Sequence, residues 1–562
     1  MKRKKSLWYS YQNPDKWISK HREHSIYEPF KKGSLRYPYY DAPDLNNLQE
    51  LITYCSYTFK EKTAFRYLDK SNDIQKSYID FFEDVAALSL FLVKHGYNRT
   101  HIALLGENSY EWLVSFFAIV NSDNVVVPLD KESEKADISK IINKSDTTVL
   151  IHSDDYTEEA EANENIVLIN MKDLAEIVCS HKTDKCKDLS FYDEISVDNE
   201  DVCAIFYTSG TTSEPKGVML SHKNIVCDTI ATSKSVRVAD PSLLTLPLHH
   251  TYGFVASVTI PMLIGSSIFI NSSTRHLMRD INYVKPEYMA VVPLIAEVMY
   301  KKIWENAKSS GKDKLLKKLI KISDSLCKVG IDLRRKLFSS VIDGFGGNLE
   351  ILVIGGAAID PAIVRCFNSF GIKALVGYGI TECSPVVSTV RNKHYCPESV
   401  GTVHPGVNVR IFNGEIQVKG DTVFIGYYKN PEATAEAFDG EWFKTGDIGE
   451  LKNGFLYITG RIKNLIILSN GENISPEELE QYLKTTISEI TEIVVYADKG
   501  GISAEIFAED GNIEKIKKKI FELNKNRPVY KQIKQVYFRD IEFEKTTTKK
   551  IKRSSLGENK NA

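Results

Sequence analysis

The sequence predicts an α/β protein: a large body of parallel sheets with crossover helices, a small β subdomain, and a separate small α+β domain toward the C-terminus. Three observations carry this. Short runs rich in Val and Ile end at glycine or polar clusters at 101–105, 124–129, 148–152, 202–208 and 349–355. Helical patterns fill the intervals, as at 78–95 and 109–121, and the period changes near 400–428. Strands that alternate with helices pair in parallel, because a crossover helix is what returns the chain to the same strand direction.

Within 400–428, Asn408-Val-Arg-Ile-Phe-Asn-Gly-Glu-Ile-Gln-Val418 reads as a hairpin turning at Asn413-Gly414, since both residues tolerate the positive φ of a two-residue turn. From about residue 462 the order is a strand at 465–468, a helix from 476 to about 485, a strand at 493–496 and a basic helix at 515–525. No internal repeat or low-complexity block interrupts the 562 residues.

Composition excludes several classes. The chain has 43% hydrophobic and 26% charged residues and a net charge of −2, so no whole-chain field points to nucleic acid. Nine cysteines, an odd number with no Cys-x-x-Cys pair, read as reduced thiols and a cytoplasmic location. The basic start, Met1-Lys-Arg-Lys-Lys5, precedes polar residues and reads as no secretory signal. The most apolar stretch, 255–270, is broken by Pro261 and Gly265 and falls short of the roughly 20 residues of a spanning helix. Charge is instead local: residues 513–553 hold 14 Lys and Arg against 5 Asp and Glu, a solvated face or one that meets phosphates.

The most informative stretch is Tyr207-Thr-Ser-Gly-Thr-Thr-Ser-Glu-Pro-Lys-Gly217 after the apolar run 204–206. Thr208, Ser209, Gly210, Thr211 and Thr212 offer hydroxyls and unhindered backbone N–H groups to a polyphosphate, and Lys216 adds a point charge. It is not the Walker loop, because Gly217 follows the lysine where Ser or Thr belongs.

This loop resembles the phosphate-binding signature of the adenylate-forming superfamily, which includes acyl-CoA synthetases, peptide-synthetase adenylation domains and luciferases. Ser213 stands where glycine is commoner. Other signatures of that superfamily follow in order. Gly377-Tyr-Gly-Ile-Thr-Glu382 resembles its Tyr-Gly-x-Thr-Glu element, which implies Tyr378 against adenine, Thr381 on the α-phosphate, and Glu382 with Thr211 on Mg2+. Gly355-Gly-Ala-Ala358 resembles the turn where Gly356 and Ala357 let adenine approach. Thr445-Gly-Asp447 resembles the ribose element, and Gly460-Arg-Ile-Lys463 a ribose-contacting Arg461 followed by a hinge at Lys463. Lys545-Thr-Thr-Thr-Lys-Lys-Ile-Lys-Arg553 resembles the terminal signature and implies Lys550 as the active-site lysine. Glu544 and Lys549 depart from the usual proline and glycine, and Lys549 is the alternative to Lys550.

The resemblance implies an N-terminal extension (1–45), an AMP-binding domain (46–460), a hinge (461–463) and a mobile C-terminal lid (464–562). It also implies ATP, Mg2+ and coenzyme A as cofactors, with the loop around Gly471 moving in for the thiol step. Within the superfamily it is nearest the long-chain fatty acyl-CoA synthetases, through Gly106-Glu-Asn-Ser-Tyr-Glu-Trp112, Val125-Val-Val-Pro-Leu-Asp130 and a basic amphipathic segment at 301–348. The stretch 243–271 contains no Asp or Glu to pair with a substrate ammonium, which favours a fatty acid over an amino acid. His250 would then gate the acyl pocket. The expected activity is acid–thiol ligation, through acyl-AMP, to coenzyme A. An acyl carrier protein as acceptor, or a stand-alone adenylation enzyme, is the alternative. Lys312, Lys314, Lys317, Lys318 and Lys321 among Leu315, Leu316, Leu319 and Ile320 read as peripheral membrane contact or as plain packing.

Overall fold

Runs of Val, Ile and Leu at 101–105, 149–152 and 351–354 become strands that are almost wholly buried, which is why they carry no polar alternation. The computed structural model describes residues 39–553 except 71, 164–165, 184–185, 187–194, 209–213, 272, 393–394, 468–472, 488, 499–500, 510–511, 546–550 and 552. The chain divides into two units. One runs to Asn408 and takes back Val418–Glu441; the other comprises Val409–Gln417 and the chain from Trp442 onward.

The first unit holds two large sheets. A seven-stranded sheet has the order Gly426–Tyr427, Lys216–Ser221, Val202–Thr208, Val125–Pro128, His101–Leu105, Val149–His152, Val167–Asn170. Its last five strands are parallel, and Lys216–Ser221 runs antiparallel to both neighbours. In the nine-stranded sheet, six strands are parallel in the order Lys373–Gly379, Ile351–Ile354, Tyr288–Val291, Ser242–Leu244, Ile268–Ile270, Thr63–Asp69. Antiparallel strands close both edges. The α/β body expected from the alternation is therefore present.

Helix starts follow local chemistry. Ser77 and Asp80 form a capping box on Tyr78–Lys94, and the Ser109 hydroxyl accepts from the Trp112 N–H to start Tyr110–Asn121. The apolar run after His250 is a buried helix, Thr251–Leu263, with a π-turn over Val255–Thr259, followed by the strand Ile268–Ile270. Among the described residues no helix is long and apolar enough to cross a membrane. The basic segment forms Pro293–Ser309 and Asp313–Lys328.

In the second unit, Asn413 (φ 51°) and Gly414 (φ 85°) make the expected hairpin turn. A second hairpin, Trp442–Lys452 with Phe455–Arg461, turns on Asn453 (φ 53°) and Gly454 (φ 79°) by the same device. Beyond it, Glu492–Asp498, Gly501–Phe507 and Ile533–Arg539 form a three-stranded sheet. Helices Pro476–Thr486 and Ile513–Asn524 bury Leu479, Leu483, Ile516 and Ile520 in one core with Ile493, Ile502 and Ile506. The expected strand at 465–468 shrinks to Ile466–Ile467, paired with Asn473–Ile474; Leu468 lies outside the described residues.

Candidate active site

Ligands of open α/β sheets bind beyond the carboxyl ends of the parallel strands, where loops diverge and backbone groups are left to contact them. Those ends carry Thr208 in the seven-stranded sheet, and in the nine-stranded sheet the loops 245–250 and 355–358 and the segment 378–382. Ser209, Gly210, Thr211 and Thr212 lie outside the described residues, but both roots of their loop are defined. Thr208 and Lys216 face each other across the antiparallel pair, so the loop joins two adjacent strands.

Glu382 is the centre of the first cluster. It sits in a 3-10 turn, Thr381–Cys383, and is 8% exposed. The Tyr427 hydroxyl donates to Glu382 Oε1 at 2.8 Å, and the Phe424 N–H donates to the Glu382 carbonyl at 2.8 Å. Lys216 Nζ lies 4.8 Å from the centre of the Tyr427 ring. Burial, and after it the Glu382 charge, push the Tyr427 phenol well above its ordinary value, so it remains a donor. Gly379 is required by this turn: a Cβ there would lie 2.1 Å from the Pro385 carbonyl oxygen. Tyr378 is half-buried in the preceding strand, opposite Ser388, and Thr381 is half-buried beside Glu382.

At the end of Ile351–Ile354, a Cβ on Gly355 would meet the Tyr252 ring at 2.9 Å. The half-buried Tyr252 points its hydroxyl between the carbonyls of Val291 and Val353, each 3.3 Å away, and so joins two adjacent strands. Gly356 adopts φ 90°, and Gly356 and Ala357 are exposed. His250 is the residue before the first turn of the buried helix, with no side-chain capping bond, and its ring centre lies 4.2 Å from that of His249. His249 Nε2 lies 3.3 Å from Asp130 Oδ1. Burial, then His250, hold His249 neutral, its pKa lowered to about 3 against the opposing pull of Asp130.

In the second unit Asp447 and Arg461 are cross-strand partners, and Arg461 Nε donates to Asp447 Oδ1 at 2.7 Å. Asp447 is 5% exposed, while Arg461 and Lys463 are exposed. Gly471 and Lys550 lie outside the described residues. Flanking Lys550, residues Lys545 and Ile551 form an antiparallel bridge. Arg553 Nη2 donates to both oxygens of Glu480, Oε1 at 2.8 Å and Oε2 at 2.7 Å, while its Nη1 donates to the Val495 carbonyl at 3.1 Å; burial raises the Glu480 pKa to about 7 against the Arg553 charge.

Sequence reasoning singled out Glu382, Lys216 and His250 but not Tyr427 or His249. Gly426-Tyr-Tyr428 is visible in the chain, yet no local pattern says that one ring meets a carboxylate 45 residues away.

A model of the family described as AMP-binding enzyme matches residues 55–428. The chain belongs to the AMP-binding enzyme family. The matched span of this AMP-binding enzyme includes Thr208, Lys216, His250, Tyr378, Glu382 and Tyr427. It is similar to a long-chain-fatty-acid–CoA ligase of Mycobacterium bovis, 28% identical over 71% of this chain and 72% of that protein. It is also similar to long-chain-fatty-acid–CoA ligase 5 of Rattus norvegicus, 29% identical over 72% of this chain and 66% of that protein. The fold matches an anthranilate CoA ligase in complex with anthranoyl-AMP at TM-score 0.74 and 19% identity, covering 92% of this chain and 97% of that one. It also matches ATP-bound MatB from Rhodopseudomonas palustris at TM-score 0.74 and 21% identity, covering 91% and 98%.

Proposed function

We propose that this AMP-binding enzyme is an ATP-dependent acid–thiol ligase that activates a fatty acid, long-chain by its relatives, as acyl-AMP and passes the acyl group to coenzyme A. The observation that carries this reading is the Glu382–Tyr427–Lys216 cluster. A buried carboxylate, its hydrogen-bond donor and a lysine at the root of a Ser/Thr/Gly loop are gathered at the carboxyl ends of parallel strands.

The chemistry follows from charge. A carboxylate cannot expel oxide, so its oxygen attacks the α-phosphorus of ATP. A P–O bond to AMP forms, the bond to pyrophosphate breaks, and the departing charge needs stabilising. In this reading Lys216 and the loop residues 208–212 hold the phosphates, Thr381 orients the α-phosphate, and Tyr378, Gly356 and Ala357 bound the adenine. Asp447, with two acceptor oxygens fixed beside Arg461, takes the ribose hydroxyls. Lys550 binds at the reacting phosphate, and Lys463 is the hinge for residues 464–562. Glu382 and Thr381 present hard oxygen donors, which fit Mg2+. Glu382 with Thr211 would hold that ion, which when bound supplies neutralisation of phosphate charge. In the second half-reaction the thiol attacks the acyl carbon and AMP leaves.

An acidic partner for a substrate ammonium is missing from the sequence at 243–271, which supports a fatty over an amino acid. Leu315, Ile322, Val329 and Ile331 are exposed among Lys314, Lys317, Lys318 and Lys321, which supports peripheral contact with an anionic membrane.

The reading is tested by pyrophosphate release over a panel of fatty, aromatic and amino acids, each with coenzyme A or a holo acyl carrier protein. Release with fatty acids, coupled to acyl-CoA formation, is expected. Release with amino acids alone, or with no acid at all, would overturn it.

A further inference from the structure

Lys216 starts the strand Lys216–Ser221, and that strand runs straight into the helix His222–Ser235. A capping box joins the two: the Ser221 hydroxyl accepts from the Asn224 N–H at 3.1 Å, and the Asn224 side-chain oxygen accepts from the Ser221 N–H at 2.8 Å. Asn224, Asp228 and Thr232 follow one another at four-residue spacing and so share one face of the helix. That face is buried, with Asn224 6% exposed and Asp228 fully enclosed. Core-facing helix stripes are ordinarily apolar, so polar side chains in such a row call for partners.

Thr232 meets His404, but the other two hold backbone that leads to the candidate active site. Asp228 Oδ1 accepts from the Val386 N–H at 3.2 Å. Val386 pairs with Gly379 at the shifted end of its ladder, and the turn between them, closed by the Ile380 N–H on the Pro385 carbonyl at 2.8 Å, carries Thr381 and Glu382. Asn224 Nδ2 donates to the carbonyls of Asp421 and Val423 at 2.8 and 3.0 Å. Residues 421–425 lie outside any strand, and Gly426–Tyr427 follows directly. The Glu382 turn holds the same stretch through the Ser384 hydroxyl on the Thr422 carbonyl and the Phe424 N–H on the Glu382 carbonyl, each at 2.8 Å.

We propose that Asp228 and Asn224 are positioning residues for the Glu382–Tyr427–Lys216 cluster, fixing from one helix face the two backbone segments that present Glu382 and Tyr427. The proposal rests on the ligase reading only for the role of Glu382 toward Mg2+. One helix, continuous with the strand that carries Lys216, then sets the placement of all three side chains. Desolvating the Asp228 carboxyl is costly, and its Oδ2 has no hydrogen-bond partner among the described residues, whereas a leucine there would bury apolar surface at no such cost. What the carboxyl supplies is a fixed acceptor at the base of the Glu382 turn. Burial pushes it well above the usual carboxylate range, so it stands neutral and an amide is its nearest isostere.

The test compares three variants of the full-length protein. Asp228→Leu removes the acceptor for the Val386 N–H, and Asp228→Asn keeps it. Asn224→Asp keeps the acceptor for the Ser221 N–H but loses the donors to 421 and 423. In metal-free crystal structures, Asp228→Leu and Asn224→Asp should carry the Tyr427 hydroxyl out of hydrogen-bonding range of Glu382, while Asp228→Asn retains the contact. The Mg2+ concentration for half-maximal pyrophosphate release should rise about 10-fold or more in the first two, as for lost partners that orient a metal ligand, and stay near the parent value in Asp228→Asn. Thioester formation from a synthetic acyl adenylate should be spared. If Asp228→Leu does not fold, Asn224→Asp carries the comparison. An intact Glu382–Tyr427 contact in the folded variants, an unchanged Mg2+ requirement, equal loss of both half-reactions, or failure of Asp228→Asn alongside Asp228→Leu would each overturn the proposal. A parent protein that releases no pyrophosphate would overturn the ligase reading instead, and the crystal structures would then decide the positioning role by themselves.

Discussion

Tyr427 donates its hydroxyl to Glu382 across a separation of 45 residues, at 2.8 Å, while its ring faces Lys216 Nζ. One side chain thereby joins the candidate metal ligand to the candidate phosphate lysine. Removing the hydroxyl in Tyr427→Phe leaves the ring in place but takes one hydrogen-bond donor from a buried carboxylate. A hydrogen bond to a charged group contributes about 1.5–3 kcal/mol. Pyrophosphate release should therefore fall about 10- to 100-fold, and a titration of Mg2+ at saturating ATP should show a raised requirement for the ion.

Asp447→Asn should raise the KM for ATP more than it lowers kcat, because in the proposed reading Asp447 holds the ribose and touches no reacting atom. Its partner Arg461 is half-exposed, so the ion pair contributes at most about 1 kcal/mol to stability. A melting temperature within a few degrees of the parent protein, beside a KM raised about 10-fold or more, is the expected result.

Lys550→Ala should separate the two half-reactions. Losing one preorganised charge at the reacting phosphate costs about 3–4 kcal/mol. Pyrophosphate release from ATP should collapse while thioester formation from a synthetic acyl adenylate persists. Equal loss of both would remove Lys550 from its role, and the same assay on Lys549→Ala decides between the two lysines.

Acid should destabilise the first unit through buried histidines. Burial lowers the pKa of His222 to about 4, with Asp198 opposing; burial and then Arg391 lower that of His404 to about 3. The unfolded chain takes up these protons near pH 6.5, before the folded chain does. Stability is thus full above about pH 6.5 and is lost as pH falls toward the folded values, with a limiting slope of about 1.4 kcal/mol per pH unit for each histidine. Urea unfolding at pH 7.5, 6 and 5 should show this decline. His404→Gln should reduce the slope by one proton, while losing whatever its contacts with Thr232 and Thr389 contribute.

Leu315→Glu and Ile322→Glu should each weaken sedimentation with anionic vesicles about 10-fold, since burying such a side chain stabilises by about 1.5–3 kcal/mol. Neutral vesicles should bind weakly throughout. Indifference of the anionic vesicles to both substitutions would assign the exposed apolar face of Asp313–Lys328 to some other role.

Much of the fold was legible because its signals are local. Ser77 and Ser109 start helices through hydrogen bonds within three residues, and Asn413-Gly414 turns a hairpin through its own φ angles. The Asn453-Gly454 hairpin carries the same signal and was not read from the sequence, since its strands, Trp442–Lys452 and Phe455–Arg461, lack the apolar alternation that marks a half-buried sheet. The run after His250 was equally ambiguous: apolar composition alone does not tell a substrate wall from a core helix, and the chain makes it the buried helix Thr251–Leu263.

By itself the sequence determined the fold class, the order of those elements whose signals are local, and the residue types that point to adenylate chemistry, because periodicity, caps, turns and short motifs are properties of neighbouring residues. Only the tertiary structure decided which side chains meet. Tyr427 reaches Glu382 because Gly426–Tyr427 pairs beside Lys216–Ser221, and His249 approaches Asp130 because strands of two different sheets end side by side. Such encounters depend on strand order and register, set by burial summed over both sheets and encoded in no single stretch of chain.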